Sequence, residues 1–154
     1  MTHIQRRSTS ASRGHQQGLS LIEVLIAALI LAIGLLGIAA MQAVTLRNSQ
    51  SAFDRTQAVV LSYSMFDAMR ANAAAARAGG YTLARTCTVP AAGGTLVSRD
   101  QNLWIQSLKD TMGDSACGTI SACAANVCSI TVEWNDSRAT DGEDDKTLTT
   151  TSRI

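Results

Sequence analysis

The chain has a single proline, Pro90, so nothing in its first half forces a helix to stop. Aromatic residues are equally scarce, two each of Trp, Tyr and Phe. Both histidines, His3 and His15, lie near the N-terminus. The rest of the chain therefore lacks the usual general base, and no glycine-rich phosphate loop is present. An enzyme is not expected, nor a cofactor or a small-molecule substrate. The four cysteines form no C-x-x-C pair and have no histidine nearby, which argues against a zinc or other metal site. Charge is missing altogether from Val24 to Met41.

That uncharged run, VLIAALILAIGLLGIAAM, is apolar on every face of a helix, as a lipid-embedded segment should be. With Leu19 to Ile22 added it is long enough to span a hydrocarbon core. Ahead of it, residues 1–18 carry Arg6, Arg7 and Arg13 and no acid, leaving ten basic against twelve acidic residues in the remainder. A basic end before an apolar run stays in the cytoplasm and directs the C-terminal part across the membrane. The expected topology is a single-pass inner-membrane protein with a periplasmic C-terminal part. Without a folded basic surface, three arginines in a leader do not suggest a nucleic-acid partner.

Helix formers continue beyond the membrane segment. Val59, Tyr63, Phe66, Met69, Ala73 and Ala76 recur at three- and four-residue steps, and Gly79-Gly80 supplies a stop. One helix from Leu19 to about Ala78 would be about 90 Å long at 1.5 Å per residue, a rod that a globular core rarely needs. After it, Tyr81 to Val89 reads as extended. Asp100 to Met112 reads as a short helix capped by Asp100, with Leu103, Trp104, Leu108 and Met112 inward. Val127 to Trp134 alternates as a strand, Asn135 to Lys146 is an acidic loop, and Leu148 to Ile154 is a candidate last strand. The expected fold class is α+β: a long N-terminal helix, transmembrane then amphipathic, packed on a small antiparallel sheet. The expected divisions are a cleaved leader (1–18), a membrane or filament-core helix (19–41), its amphipathic continuation (42–78) and a periplasmic head (79–154).

The stretch Gly18-Leu19-Ser20-Leu21-Ile22-Glu23-Val24 carries the most chemistry. Gly18 suits the residue before a protease cut, because a side chain there would obstruct close approach. Glu23 is a lone acid at the mouth of an uncharged membrane helix, costly unless paired. Cutting after Gly18 would create a partner for it, the α-amino group of Leu19, on the same or a neighbouring subunit. The plainer reading has Glu23 snorkelling at the interface of an ordinary anchor.

This stretch, with the apolar run behind it, resembles the class III signal of type IV pilins and of type II secretion pseudopilins. The resemblance implies a prepilin peptidase that cuts between Gly18 and Leu19 and N-methylates Leu19. It also implies a helical filament with the N-terminal helices bundled in its core, Glu23 setting register. Leu19 stands where major pilins usually start with Phe, and no proline interrupts the membrane helix; both departures fit a minor pilin. Leu31 to Gly37, Asp67 to Asn72 and Val132 to Asp136 are further similar to the minor pilins called type IV pilus modification protein (PilV). That family implies a low-abundance subunit that joins other minor pilins and the major pilin to prime pilus assembly, near the tip.

Cys87, Cys117, Cys123 and Cys128 all lie beyond the apolar run, so one or two disulfides are expected in an oxidising compartment. Three pairings are open, among them short loops from Cys117 to Cys123 or to Cys128 with Cys87 as the distant partner. Asp141 to Asp145 with Asp136 lacks calcium-loop spacing and reads as a solvated acidic loop. Three alternatives share many of these features: a minor pseudopilin, a competence pilus subunit, and a plain membrane-anchored periplasmic binding protein that keeps its leader.

Overall fold

The structure is a computed structural model and describes residues 18, 20–140 and 142–154. Residues 1–17, Leu19 and Asp141 lie outside the described residues, and with Leu19 the expected methylation site and one side of the expected cut. The chain divides into two compact units, Met1–Ala40 and Met41–Ile154.

The first unit is helical from Leu21, the start of helix α1 (Leu21–Ala71). The Ser20 carbonyl opens the helix by accepting from the Glu23 and Val24 amides at 3.0 and 3.2 Å. All side chains from Leu21 to Ala40 are exposed. The helix is long and apolar enough to cross a membrane.

The second unit begins with the rest of α1, whose core face is Ala58, Ser62, Met65, Phe66 and Met69. Phe66 and Met69 lie where the periodicity placed them, but Tyr63 is half exposed and Ser62 takes its place inside. The Ser62 hydroxyl is satisfied by donating to the Ala58 carbonyl at 2.7 Å, so a small polar residue fills the groove without an orphaned group. The helix does not run unbroken to Ala78. At Asn72 the backbone leaves helical geometry (φ −123°, ψ 48°), and a short helix α2 (Ala73–Arg77) comes next. Asn72 turns its amide toward the Tyr81 hydroxyl (3.4 Å), which donates to Asp100 at 2.5 Å. The expected stop is present: Gly79 has φ 80°, and the Gly80 amide donates to the Ala75 carbonyl at 2.8 Å.

Strand β1 (Leu83–Thr86) precedes helix α3 (Leu96–Met112). The cap of α3 is Thr95, not Asp100: its hydroxyl oxygen accepts from the Ser98 amide at 3.1 Å. Asp100 is instead taken up by Tyr81. Ile105 occupies the core beside Trp104 and Leu108, while Leu103 points out. Strands β2 (Cys117–Ile120), β3 (Val127–Trp134) and β4 (Lys146–Arg153) complete an antiparallel sheet of order β1-β2-β3-β4. The alternation read in β3 holds, with Cys128, Ile130, Val132 and Trp134 inward. These side chains meet Phe66, Met69, Trp104, Ile105 and Leu108 in one core. Each large member contributes about 1.5–3 kcal/mol of apolar transfer energy. Gly118 lets the sheet approach α3: a Cβ there would lie 2.5 Å from the Trp104 ring. The fold is thus α+β, a long N-terminal helix with a small antiparallel sheet packed on its second part.

Candidate functional site

Glu23 lies in the first turn of α1, where the helix dipole favours an acid. It is exposed, and the apolar side chains after it are exposed as well. Three glycines in this unit have no packing neighbour among the described residues that would require them. A Cβ on Gly18, Gly34 or Gly37 would meet nothing within 4 Å, and none has a positive φ. Glycine within a helix lowers its stability by roughly 0.5–1 kcal/mol relative to alanine. Gly34 and Gly37 therefore carry that cost without any return from this chain's own packing. At the expected cut, a Cβ on Gly18 would meet none of the described residues within 4 Å. Ser20 and Glu23 also have the spacing of a capping box, a start signal that is easily overlooked beside the lone carboxylate. It is the Ser20 carbonyl that holds the helix start.

In the second unit, Leu46, Phe53 and Val60 recur every seventh residue on the side of α1 away from the core, and all three are exposed. This stripe escapes a search for the inward-facing residues, because it lies opposite them.

The four cysteines form two disulfides, Cys87–Cys117 and Cys123–Cys128. Neither local loop noted from the spacing is used. The β1–β2 pairing of Thr86 with Gly118 sets Cys87 beside Cys117, across the segment that holds α3. Cys123 and Cys128 flank the β2–β3 turn, where Ala125 and Asn126 have φ of 49° and 64°. Two successive residues of positive φ match the tight hairpin turn whose twist suits paired strands.

The acidic loop is tied to the helix through Asp136. Asp136 is buried and accepts from the Ser51 hydroxyl at 2.6 Å, while its amide donates to the Glu143 carbonyl at 2.9 Å. Among the described residues no group of three acidic, His or Cys side chains converges as a metal site would require. Beside this loop an open cleft of about 970 Å³ is lined by Arg47, Asp54, Asp110, Asp114, Asp136 and Arg138 among others. Its charges are mixed in sign. On the outer face of the sheet, Arg85 forms a bidentate pair with Glu133. The guanidinium bonds hold the Glu133 carboxyl below its usual range.

Residues 13–39 match the family described as the prokaryotic N-terminal methylation motif. The match spans Gly18, Leu19, Glu23 and nearly all of the apolar run. No curated protein and no solved structure matches the chain. The motif supports a type IV pilin-like or pseudopilin-like protein. It implies processing by prepilin peptidase and assembly with other pilins, and suggests a structural rather than an enzymatic protein. Together, the apolar helix and the motif suggest a membrane-anchored protein.

Proposed function

We propose that this chain is a minor type IV pilin of the PilV kind, a structural subunit that helps prime pilus assembly. The observation that carries the reading is the methylation motif set on a helix exposed on every face. In this reading residues 1–18 are removed between Gly18 and Leu19, and Leu19 is N-methylated. Residues 19–41 hold the subunit in the inner membrane and then enter the filament core. Residues 42–78 continue that helix, and 79–154 form the periplasmic head, which joins other minor pilins and the major pilin near the tip.

The mechanism is one of register. In the low dielectric of a bilayer or a filament core, a bare Glu23 carboxylate is costly, and a neighbouring subunit's Leu19 amine offsets that cost. Only one axial offset between helices brings the two charges together. Gly34 and Gly37 then allow close approach of the helices, and the open space beside each among the described residues supports such a use. The stripe Leu46, Phe53 and Val60 would extend the helix-to-helix contact beyond the membrane.

The decisive experiment is mass spectrometry of the N-terminal peptide from membranes of cells with and without prepilin peptidase. A peptide starting at Leu19 with one added methyl group, present only with the peptidase, is expected. An intact leader in both strains would overturn the reading in favour of a plain membrane anchor. Deletion of the gene should then reduce piliation and twitching; a secretion defect with normal pili would reassign the subunit to a type II secretion system.

A further inference from the structure

The loop between β3 and β4 carries a motif that neither the helix nor the core uses. Asn135-Asp136-Ser137 is an Asn-x-Ser triplet without proline at its centre, the acceptor pattern for an N-linked glycan. No other asparagine of the chain is followed two places on by serine or threonine. So short a triplet recurs by chance, and its placement decides what it can do.

Asn135 is the first residue after strand β3. Its neighbours Trp134 and Asp136 are buried, the latter held by the Ser51 hydroxyl, while Asn135 and Ser137 are exposed. The Asn135 side chain therefore stands out from a loop that is fixed on either side of it. Its Oδ1 accepts from the Ser137 amide at 3.0 Å and from the Ser137 hydroxyl at 2.6 Å, forming an Asx turn. The Nδ2 groups of Asn72 and Asn102 are taken up by the Tyr81 hydroxyl and the Pro90 carbonyl. Among the described residues, Nδ2 of Asn135 donates to none. Asn135 and Ser137 also line the open cleft of about 970 Å³, which leaves room for a bulky polar group on Nδ2.

We infer that Asn135 is the acceptor of an N-linked glycan. The donor is an oligosaccharide carried on a polyprenyl diphosphate, presented by a membrane-bound oligosaccharyltransferase. Nδ2 bonds to the anomeric carbon, the bond from that carbon to the diphosphate oxygen breaks, and the polyprenyl diphosphate leaves with the electron pair. One N–H proton passes to a base of the transferase. A carboxamide nitrogen is a poor nucleophile, because its lone pair is delocalised onto Oδ1. The two Ser137 bonds stabilise the negative charge that gathers on Oδ1 as the proton leaves, so Nδ2 is more easily deprotonated. That gives the hydroxyl at the third position of the triplet a chemical task. The two disulfides agree with a head exposed to an oxidising compartment, across the membrane from the leader. The inference rests on the export of the head in the proposed function, and not on leader cleavage or filament assembly.

The full chain would be isolated from membranes of the cells that make it, reduced, alkylated and digested with trypsin. The peptide from Asp110 to Arg138 contains Asn135. It is expected to carry the added mass of a chain of sugar residues, placed on Asn135 by electron-transfer fragmentation. Asn135→Gln and Ser137→Ala should each abolish the added mass, and Ser137→Thr should keep it. An unmodified peptide, or an added mass that survives Asn135→Gln because it sits on a hydroxyl, would overturn the proposal. Protease treatment of spheroplasts separates that failure from one of topology. A digested head with an unmodified peptide overturns the glycan alone, whereas a protected head overturns export and glycan together.

Discussion

From Leu21 to Ala40 every side chain of α1 is exposed, whereas farther along the same helix Ala58, Ser62, Met65, Phe66 and Met69 are buried against α3 and the sheet. The glycines separate the two units in the same way. Gly118 is required by the Trp104 ring, and Gly79 by a positive φ at the helix end, but a Cβ on Gly34 or Gly37 would meet nothing within 4 Å among the described residues. In the second unit, then, a residue's identity is explained by its neighbours in the fold. In the first, the described residues supply no such neighbours. Substitutions in the two units should therefore fail in different assays.

The largest effect is expected at Glu23. Glu23→Ala should leave the subunit inserted, cut and folded, with its thermal unfolding unchanged, and yet remove it from pili. Immunoblots of sheared pili against membrane fractions check this. Normal incorporation would remove the register role assigned to the carboxylate.

In the head, the largest cost should come from loss of Cys87–Cys117, which closes a segment of 30 residues. On the chain-entropy account the double change Cys87→Ala, Cys117→Ala costs about 3–4 kcal/mol. Cys123–Cys128, closing only five residues, is worth roughly 2 kcal/mol on the same account. Urea denaturation of the three proteins in detergent tests the order, and a larger loss from the short loop would contradict it. Gly118→Ala comes next. Its Cβ would fall 2.5 Å from Trp104 and 2.8 Å from the end of Ile105, and overpacking of this kind costs about 1–3 kcal/mol. Trp104 cannot simply swing away, since its indole N–H donates to the Leu61 carbonyl at 3.1 Å.

A smaller effect depends on pH. Burial, and after it the bond to Asp100, pushes the Tyr81 hydroxyl up to about 12 from an ordinary 10.0. The folded state thus favours the neutral phenol. Its contribution is fully present below pH 10 and is lost as pH rises from there toward 12. Melting temperatures across that window should fall, and Tyr81→Phe should flatten the fall while lowering stability at neutral pH. A curve unchanged by the substitution would mean that other groups set the alkaline limit.

How much of the fold and of the site is legible in the sequence depends on whether the signal is local. The apolar run, the Gly79-Gly80 stop and the β3 alternation are one-dimensional patterns, and each corresponds to an observed element. The interruption at Asn72 is not legible, because Asn72 sits before a run of alanines that favours helix, and the Tyr81 hydroxyl that its side chain faces is brought near by the turn at Gly79. Helix α3 starts several residues before Asp100, at a cap formed by Thr95, because two residues of the segment can both cap and only the bond to Ser98 distinguishes them. Strand β2 is four residues long with a glycine inside it, too short to show a period. The cysteine pairing depends on which strands are neighbours, which spacing alone does not say. Around Gly18 and Glu23 the position is reversed: the motif is plain in the sequence, while Glu23 is exposed and Leu19 lies outside the described residues.

The smallest expected effect separates the two units by its sign. Gly34→Ala replaces a poor helix former with the best one, at a site where the added methyl meets no packing neighbour within 4 Å among the described residues. Helix propensity alone should stabilise the segment by about 0.8–1.0 kcal/mol. If the glycine serves close packing between helices, the same change should reduce incorporation into pili even as the isolated helix gains stability. Helicity measured in detergent, set beside the amount of subunit in sheared pili, reads both quantities from one variant. A gain in both would show that Gly34 has no packing role, and would leave close approach of the helices to Gly37.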